Sequence, residues 1–258
     1  MAPRIFVPEP LATERVVSLP PAAVRHVQAL RLQPGDALTL FDGSDDAEWP
    51  GTIVEIGRSR VAVRLGAPLA VARELACAVT LAIGVPANDR MDAFVEKAGE
   101  LGAAAIQPLV CARSVVRLAG ERAEVRRRHW QAVAASASEQ CGRARVTTVL
   151  PIAPLSPWLH AVDRARSVTR IVLSFAPSAV APGPALVADA AGDAGSRPQI
   201  VVLSGPEGGL APAEEEEALA RGFVPVGLGP RVLRADTAPL AWLAWLGLHA
   251  PGSGLRRR

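Results

Sequence analysis

ACAVTLAIGVPANDRMDAFVEKAGELGAAAIQPLV, residues 76 to 110, carries the fold in outline. Ala76 to Val85 is a continuous apolar run, as a strand covered on both faces requires. Arg90 to Leu101 reads as a helix with Gly102 standing where a helix commonly ends, and Ala104 to Val110 is again a buried strand. The alternation continues through a helix over Val125 to Gln140 and buried strands at Arg170 to Ser174, Ile200 to Ser204 and Val224 to Leu228. Strands alternating with helices predict a parallel α/β sheet. Ala176 to Pro198 is rich in Ala, Pro and Gly, lacks periodicity and reads as a surface loop.

Upstream of Pro68 the pattern changes. Residues 4–7, 37–41, 51–56 and 60–65 read as short strands, punctuated by Pro34-Gly35-Asp36, Asp42-Gly43 and Gly57. That rhythm predicts a small β-barrel or sandwich. One helix interrupts it: Pro20-Pro21 leads into Ala22 to Leu30, with Ala23, Val27 and Leu30 as the apolar stripe and Arg25, Gln28 and Arg31 outward. The 258 residues therefore divide into a β-rich domain over 1–70 and an α/β domain over 71–258.

The composition, 50% hydrophobic and 21% charged, excludes a disordered chain. Cys77, Cys111 and Cys141 are too few and too far apart for a disulfide framework or a metal-ligand set, so a reduced compartment and no metal are expected. The start lacks an apolar stretch of signal-peptide length and no run is long enough to span a bilayer, so a cytoplasmic, membrane-free protein is expected. The formal charge is +3, and Lys97 is the single lysine. Nearly all positive charge is thus arginine, which suits bidentate phosphate or carboxylate contacts and is also what a GC-rich genome produces. The excess is local: residues 1–70 hold seven arginines against eight acids, whereas Arg113 to Arg145 holds eight arginines against Glu121, Glu124 and Glu139. With His129 and Trp130 beside it, this stretch is a candidate phosphate-contacting and base-stacking surface, the alternative being a solvated helix face with Trp130 buried.

Two segments can carry chemistry. Leu203-Ser-Gly-Pro-Glu-Gly-Gly-Leu210 leaves a buried strand and enters a helix near Pro212, with three glycines that let a ligand approach the backbone. Glu214 to Glu217 open that helix, which repels phosphate and favours a neutral or cationic ligand. Val226-Gly-Leu-Gly-Pro-Arg-Val-Leu-Arg-Ala-Asp-Thr-Ala-Pro239 puts Arg231 and Arg234 on one loop, pointing to an anionic partner or to carboxylate ion pairs, and Asp236 or Thr237 can cap the following helix.

LSGPEGG paired with LGPRVLRADTA resembles the RsmE family of 16S ribosomal RNA uridine-N3 methyltransferases, of the SPOUT superfamily. The resemblance extends through Arg4-Ile-Phe-Val, His26, Leu32-Gln-Pro-Gly-Asp36, Asp89-Arg-Met-Asp92, Lys97 to Gly102, Arg113-Ser-Val-Val116 and Glu139-Gln-Cys-Gly-Arg143. It implies a PUA-like N-terminal β-barrel and a SPOUT-type knotted α/β domain that binds S-adenosylmethionine, works as a homodimer and acts on 16S rRNA or the small ribosomal subunit. Carried over by position, the cofactor contacts are Leu203, Gly205, Glu207, Gly208, Gly209, Leu228, Gly229, Leu233 and Thr237. Arg234 and Arg231 take the electrostatic role in catalysis, Asp236 or Glu139 the proton, and Arg4, His26, Arg31, Arg113 and Arg143 contact RNA. Leu173-Ser-Phe-Ala lacks the acidic residue the family often has after that strand, so no site residue is assigned there. Other readings are a SPOUT methyltransferase for another base and a noncatalytic RNA-binding assembly factor.

Overall fold

The computed structural model describes residues 2–87, 90–162, 168–183 and 197–249. They form two compact units: the chain up to Glu74 together with Ala135–Val146, and Leu75–Ala134 together with the chain from Thr147 onward.

In the first unit, β1 (Arg4–Phe6), β2 (Val16–Ser18), β3 (Ala37–Phe41), β4 (Ala47–Ile56) and β5 (Val61–Leu65) pair in the order β1-β3-β4-β5-β2, and β6 (Leu69–Ala70) adds to β4. β1 runs parallel to β3; the other pairs are antiparallel. α1 (Pro21–Ala29) starts on proline, whose fixed φ suits a first turn and whose missing N–H is not needed there. Ala23, Val24 and Val27 enter a core with Ile5, Leu38, Leu40, Ile53 and Val63. Leu30, expected on the buried stripe, is 47% exposed because the helix ends before it, and Val24 takes its place.

Residues 135–146 were expected with the α/β domain. They join the first unit through polar contacts, which hydrophobic periodicity does not register. Arg143 donates from Nε and Nη2 to Glu74 at 2.9 and 2.6 Å, with the two side chains 4% and 6% exposed. Arg4 pairs with Glu48, donates to the Arg143 carbonyl at 2.8 Å and lies over the Phe41 ring. Glu139 accepts the Phe6 N–H at 2.8 Å, and Arg145 meets Asp46 at 2.7 Å.

The second unit is the expected parallel sheet. β7 (Ala78–Gly84), β8 (Ala105–Val110), β10 (Ala153–Pro154), β11 (Val168–Leu173), β12 (Gln199–Ser204) and β13 (Val224–Val226) take the order β10-β8-β7-β12-β11-β13, with β9 (Thr148–Val149) on β8. Every pair is parallel. The helices are α2 (Arg90–Glu100), α3 (Gly120–Cys141), whose residues from Ala135 onward belong to the first unit, α4 (Leu155–Ala161), α5 (Pro212–Ala220) and α6 (Thr237–His249). α3 starts five residues before the expected Val125, through a polar first turn that shows no apolar spacing. β9 and β10, two residues each, are too short to leave a pattern. α6 packs on α2 and β12, burying Pro239, Trp242, Leu243 and Leu246. None of the described helices is long and apolar enough to cross a membrane. Of the loop read over 176–198, residues 184–196 lie outside the described residues, and so does the Arg256-Arg258 tail.

Removing one member of a buried ion pair strands the other charge. Glu74→Ala should therefore lower stability by roughly 3–5 kcal/mol, whereas Arg145→Ala, which breaks a half-exposed pair, should cost under about 1 kcal/mol. Urea denaturation of both variants checks the contrast, and equal shifts would contradict it.

Candidate active site

The central strand β12 ends at Ser204, and the chain turns at once: the Gly209 N–H donates to the Pro206 carbonyl at 2.8 Å. A Cβ on Gly205 would lie 2.6 Å from the Leu210 nitrogen and 2.7 Å from the Gly209 carbonyl carbon, contacts real side chains do not make. Gly209 holds φ +69°, a region open to glycine at little cost. Gly84, at the end of neighbouring β7, leaves the same room for Pro206, whose nitrogen would stand 2.6 Å from a Cβ there.

Side chains then brace this turn. Ser114 accepts the Cys111 N–H at 2.9 Å and shapes the bend after β8. From that bend, Arg113 donates to the carbonyls of Gly208 and Leu210 at 2.9 and 3.1 Å. Glu214 accepts the N–H groups of Ala211 and Ala112 at 2.8 and 2.7 Å, and Glu207 accepts that of Ala87 at 2.8 Å. Burial, with the charge of Glu214 second, pushes the Cys111 thiol up to about 12, so it stays protonated at neutral pH.

The second loop leaves β13 beside the first. Ser174 donates its N–H to Val226 at 3.0 Å, Gly227 to Val180 at 2.9 Å, and Gly229 turns the chain at φ +94°. The Arg234 carbonyl accepts from Thr237 and Ala238 at 2.9 and 3.0 Å, so α6 starts on backbone contacts. The expected side-chain cap by Asp236 is not formed: its Oδ1 is buried without a hydrogen bond, 4.0 Å from Arg90 Nη1.

Between these loops lies a largely apolar cavity of about 810 Å³ at the carboxyl ends of β11, β12 and β13, where open parallel sheets bind ligands. Gly205, Glu207, Gly208, Gly209, Leu228, Leu233, Arg113, Arg231 and Arg234 line it. Leu203, Gly229, Thr237 and Asp236 do not; Leu203 is fully buried in β12. Arg231 and Arg234 are exposed and, among the described residues, form no ion pair, so the carboxylate alternative does not occur. Leu173 to Ala176, to which no role was assigned, also line the cavity, and the Ser174 hydroxyl donates to Glu215 on the cavity wall. The available signal was that β11 ends beside β12, a position that counts whatever residues occupy it.

The remaining RNA candidates lie in the first unit. His26 and Arg31 are exposed, Arg31 at φ +56°, whereas Arg4 and Arg143 are held in the ion pairs described above. Glu139 is also in that unit. Trp130 is 3% exposed and donates to Asp92 at 3.1 Å, so of the two readings of this stretch the buried Trp130 holds and the base-stacking one does not. Arg127 pairs with Glu124. Arg117, Arg122, Arg126 and Arg128 are exposed.

Residues 73–247 match the family of RNA methyltransferase domains, and residues 19–66 match the RNA methyltransferase PUA domain. The chain is 30% identical to the ribosomal RNA small subunit methyltransferase E of Bacillus subtilis, over 83% of this chain and 82% of that one. It is 31% identical to the protein of that name from Synechocystis sp., over 95% and 77%. The crystal structure of a ribosomal RNA small subunit methyltransferase E from Neisseria gonorrhoeae, bound to S-adenosyl methionine, superposes with a TM-score of 0.83 at 34% identity, covering 96% of this chain and 97% of that one.

Arg113→Ala should release the glycine turn: amide exchange at Gly205 and 207–210 accelerates and Cys111, buried beside Gly84, becomes alkylatable by iodoacetamide at pH 8. Unchanged exchange and labelling would show that Arg113 does not brace the turn.

Proposed function

The chain belongs to the RsmE family of RNA methyltransferases, and from that premise we propose that it transfers a methyl group from S-adenosylmethionine to N3 of a uridine in the 16S ribosomal RNA of the small subunit. One observation carries the reading: two unpaired guanidinium groups face an apolar cavity framed by a turn only glycine can make.

The residues fit the cofactor. The glycine turn at Gly205, Gly208 and Gly209, with Leu228 and Leu233 from the second loop, lets an adenosine approach the backbone closely, and by the family resemblance Leu203, Gly229 and Thr237 complete its contacts. The carboxylates of Glu207, Glu215 and Glu216 line the same space and suit a cation better than a phosphate. When bound, S-adenosylmethionine supplies an electrophilic methyl carbon on a sulfonium sulfur.

The protein's own task is the base. Uracil N3 holds a weakly acidic proton, and its removal leaves charge spread over the two flanking carbonyl oxygens. Arg234 and Arg231 stabilise that anion in a site of low polarity, where fixed charges act more strongly than in water. The lining's proton acceptors are Glu207, Glu215 and Glu216; Asp236, beside Arg90, is not among them. In-line placement of N3 supplies much of the remaining rate enhancement.

The same reading includes a trefoil knot, a cytoplasmic location and a homodimer. A noncatalytic assembly factor would have no use for a glycine-shaped cavity with free arginines.

Calorimetry with S-adenosylmethionine tests the reading. Wild type should bind, Gly205→Ala should lose at least about tenfold in affinity, and Arg234→Ala should bind normally yet turn over about 100-fold more slowly. No binding at millimolar cofactor would sink the enzyme reading, and unchanged turnover would remove Arg234 from the site.

A further inference from the structure

Phe175 and Val232 are apolar, yet 70% and 84% of their surfaces are exposed, and both line the cavity. They stand on loops leaving adjacent strands, for Leu173 of β11 is paired in register with Val226 of β13. Deeper apolar positions of the lining, such as Leu210 and Leu228, are half-buried and make its inner wall. Phe175 is the one aromatic ring among the lining residues. Val232 lies directly after Arg231 and two residues before Arg234.

Resting on the proposed methyl transfer, we infer that Phe175 and Val232 clamp the target base at the mouth of the cavity, the ring stacking on one face of the uracil and Val232 closing on the other. A base methylated at N3 must be unpaired, because that edge is used in pairing, and a base drawn into a cavity needs a new π-face and a partner for each carbonyl. The ring supplies the first. Arg231 and Arg234, flanking Val232, supply the second, since uracil O2 and O4 stand on either side of N3. The inner wall is left for the cofactor's adenosine, so two planar ligands occupy two depths of one cavity.

The test uses small ribosomal subunits from a strain lacking this protein. Filter binding gives their affinity, calorimetry gives that of S-adenosylmethionine, and light scattering gives the oligomeric mass. Phe175→Ala and Phe175→Leu should each weaken subunit binding by roughly 5- to 150-fold, the range of base–aromatic stacking. Cofactor affinity should hold within about twofold, and Phe175→Trp should restore binding. Subunit affinity equal to wild type in the Ala and Leu variants would overturn the clamp. So would a selective loss of cofactor affinity, which would give the ring to the adenosine, or a loss of dimer mass, which would give it to a subunit interface. The wild-type cofactor titration is read separately, so failure of the methyltransferase reading is not confused with failure of the clamp.

Discussion

The backbone of Gly205 passes so close to that of Leu210 that no side chain fits between them, and the site depends on that contact. A larger residue would push the turn away from β12 and close the space the cavity occupies. Gly84 meets the same demand from the next strand, so two neighbouring strand ends are matched sterically before any ligand is considered. Arg113, Glu214 and Glu207 then hold the turn through backbone groups, using charge to fix shape.

This division of labour also orders the arginines. The sequence concentrates the basic excess in Arg113 to Arg145, but Arg143 and Arg145, with Arg4, are ion-paired and join residues 135–146 to the first unit, while Arg113 braces a loop. Arg231 and Arg234 differ: they line the cavity and form no ion pair among the described residues. Two exposed guanidinium groups that form no ion pair keep their donors available at the cavity, which is what stabilising a developing uracil anion requires.

Much of this was legible in the residues. Short, largely apolar runs such as Ala76 to Val85, bounded by turn residues, read as strands covered on both faces, and the glycine loops announced themselves by following such runs. Other features were not legible, for physical reasons. The assignment of residues 135–146 to the first unit rests on single polar contacts between Glu139, Arg143 or Arg145 and residues far away in sequence, which no local pattern encodes. Trp130 looked like a stacking platform because its neighbours are charged, yet its indole is buried on Asp92. Asp236 looked like a cap by position, but the Arg234 carbonyl does that work. Leu173 to Ala176 were passed over because their identities departed from the resembled family; their place at the end of β11 puts them on the cavity all the same.

The central claim is methylation of one ribosomal uridine, and mass mapping of 16S ribosomal RNA tests it most directly. RNA from a strain lacking this protein should be lighter by one methyl group at a single uridine, and the purified protein with S-adenosylmethionine should restore that mass on small subunits from the strain. Identical maps with and without the protein would contradict the account, as would a lost methyl on any other base.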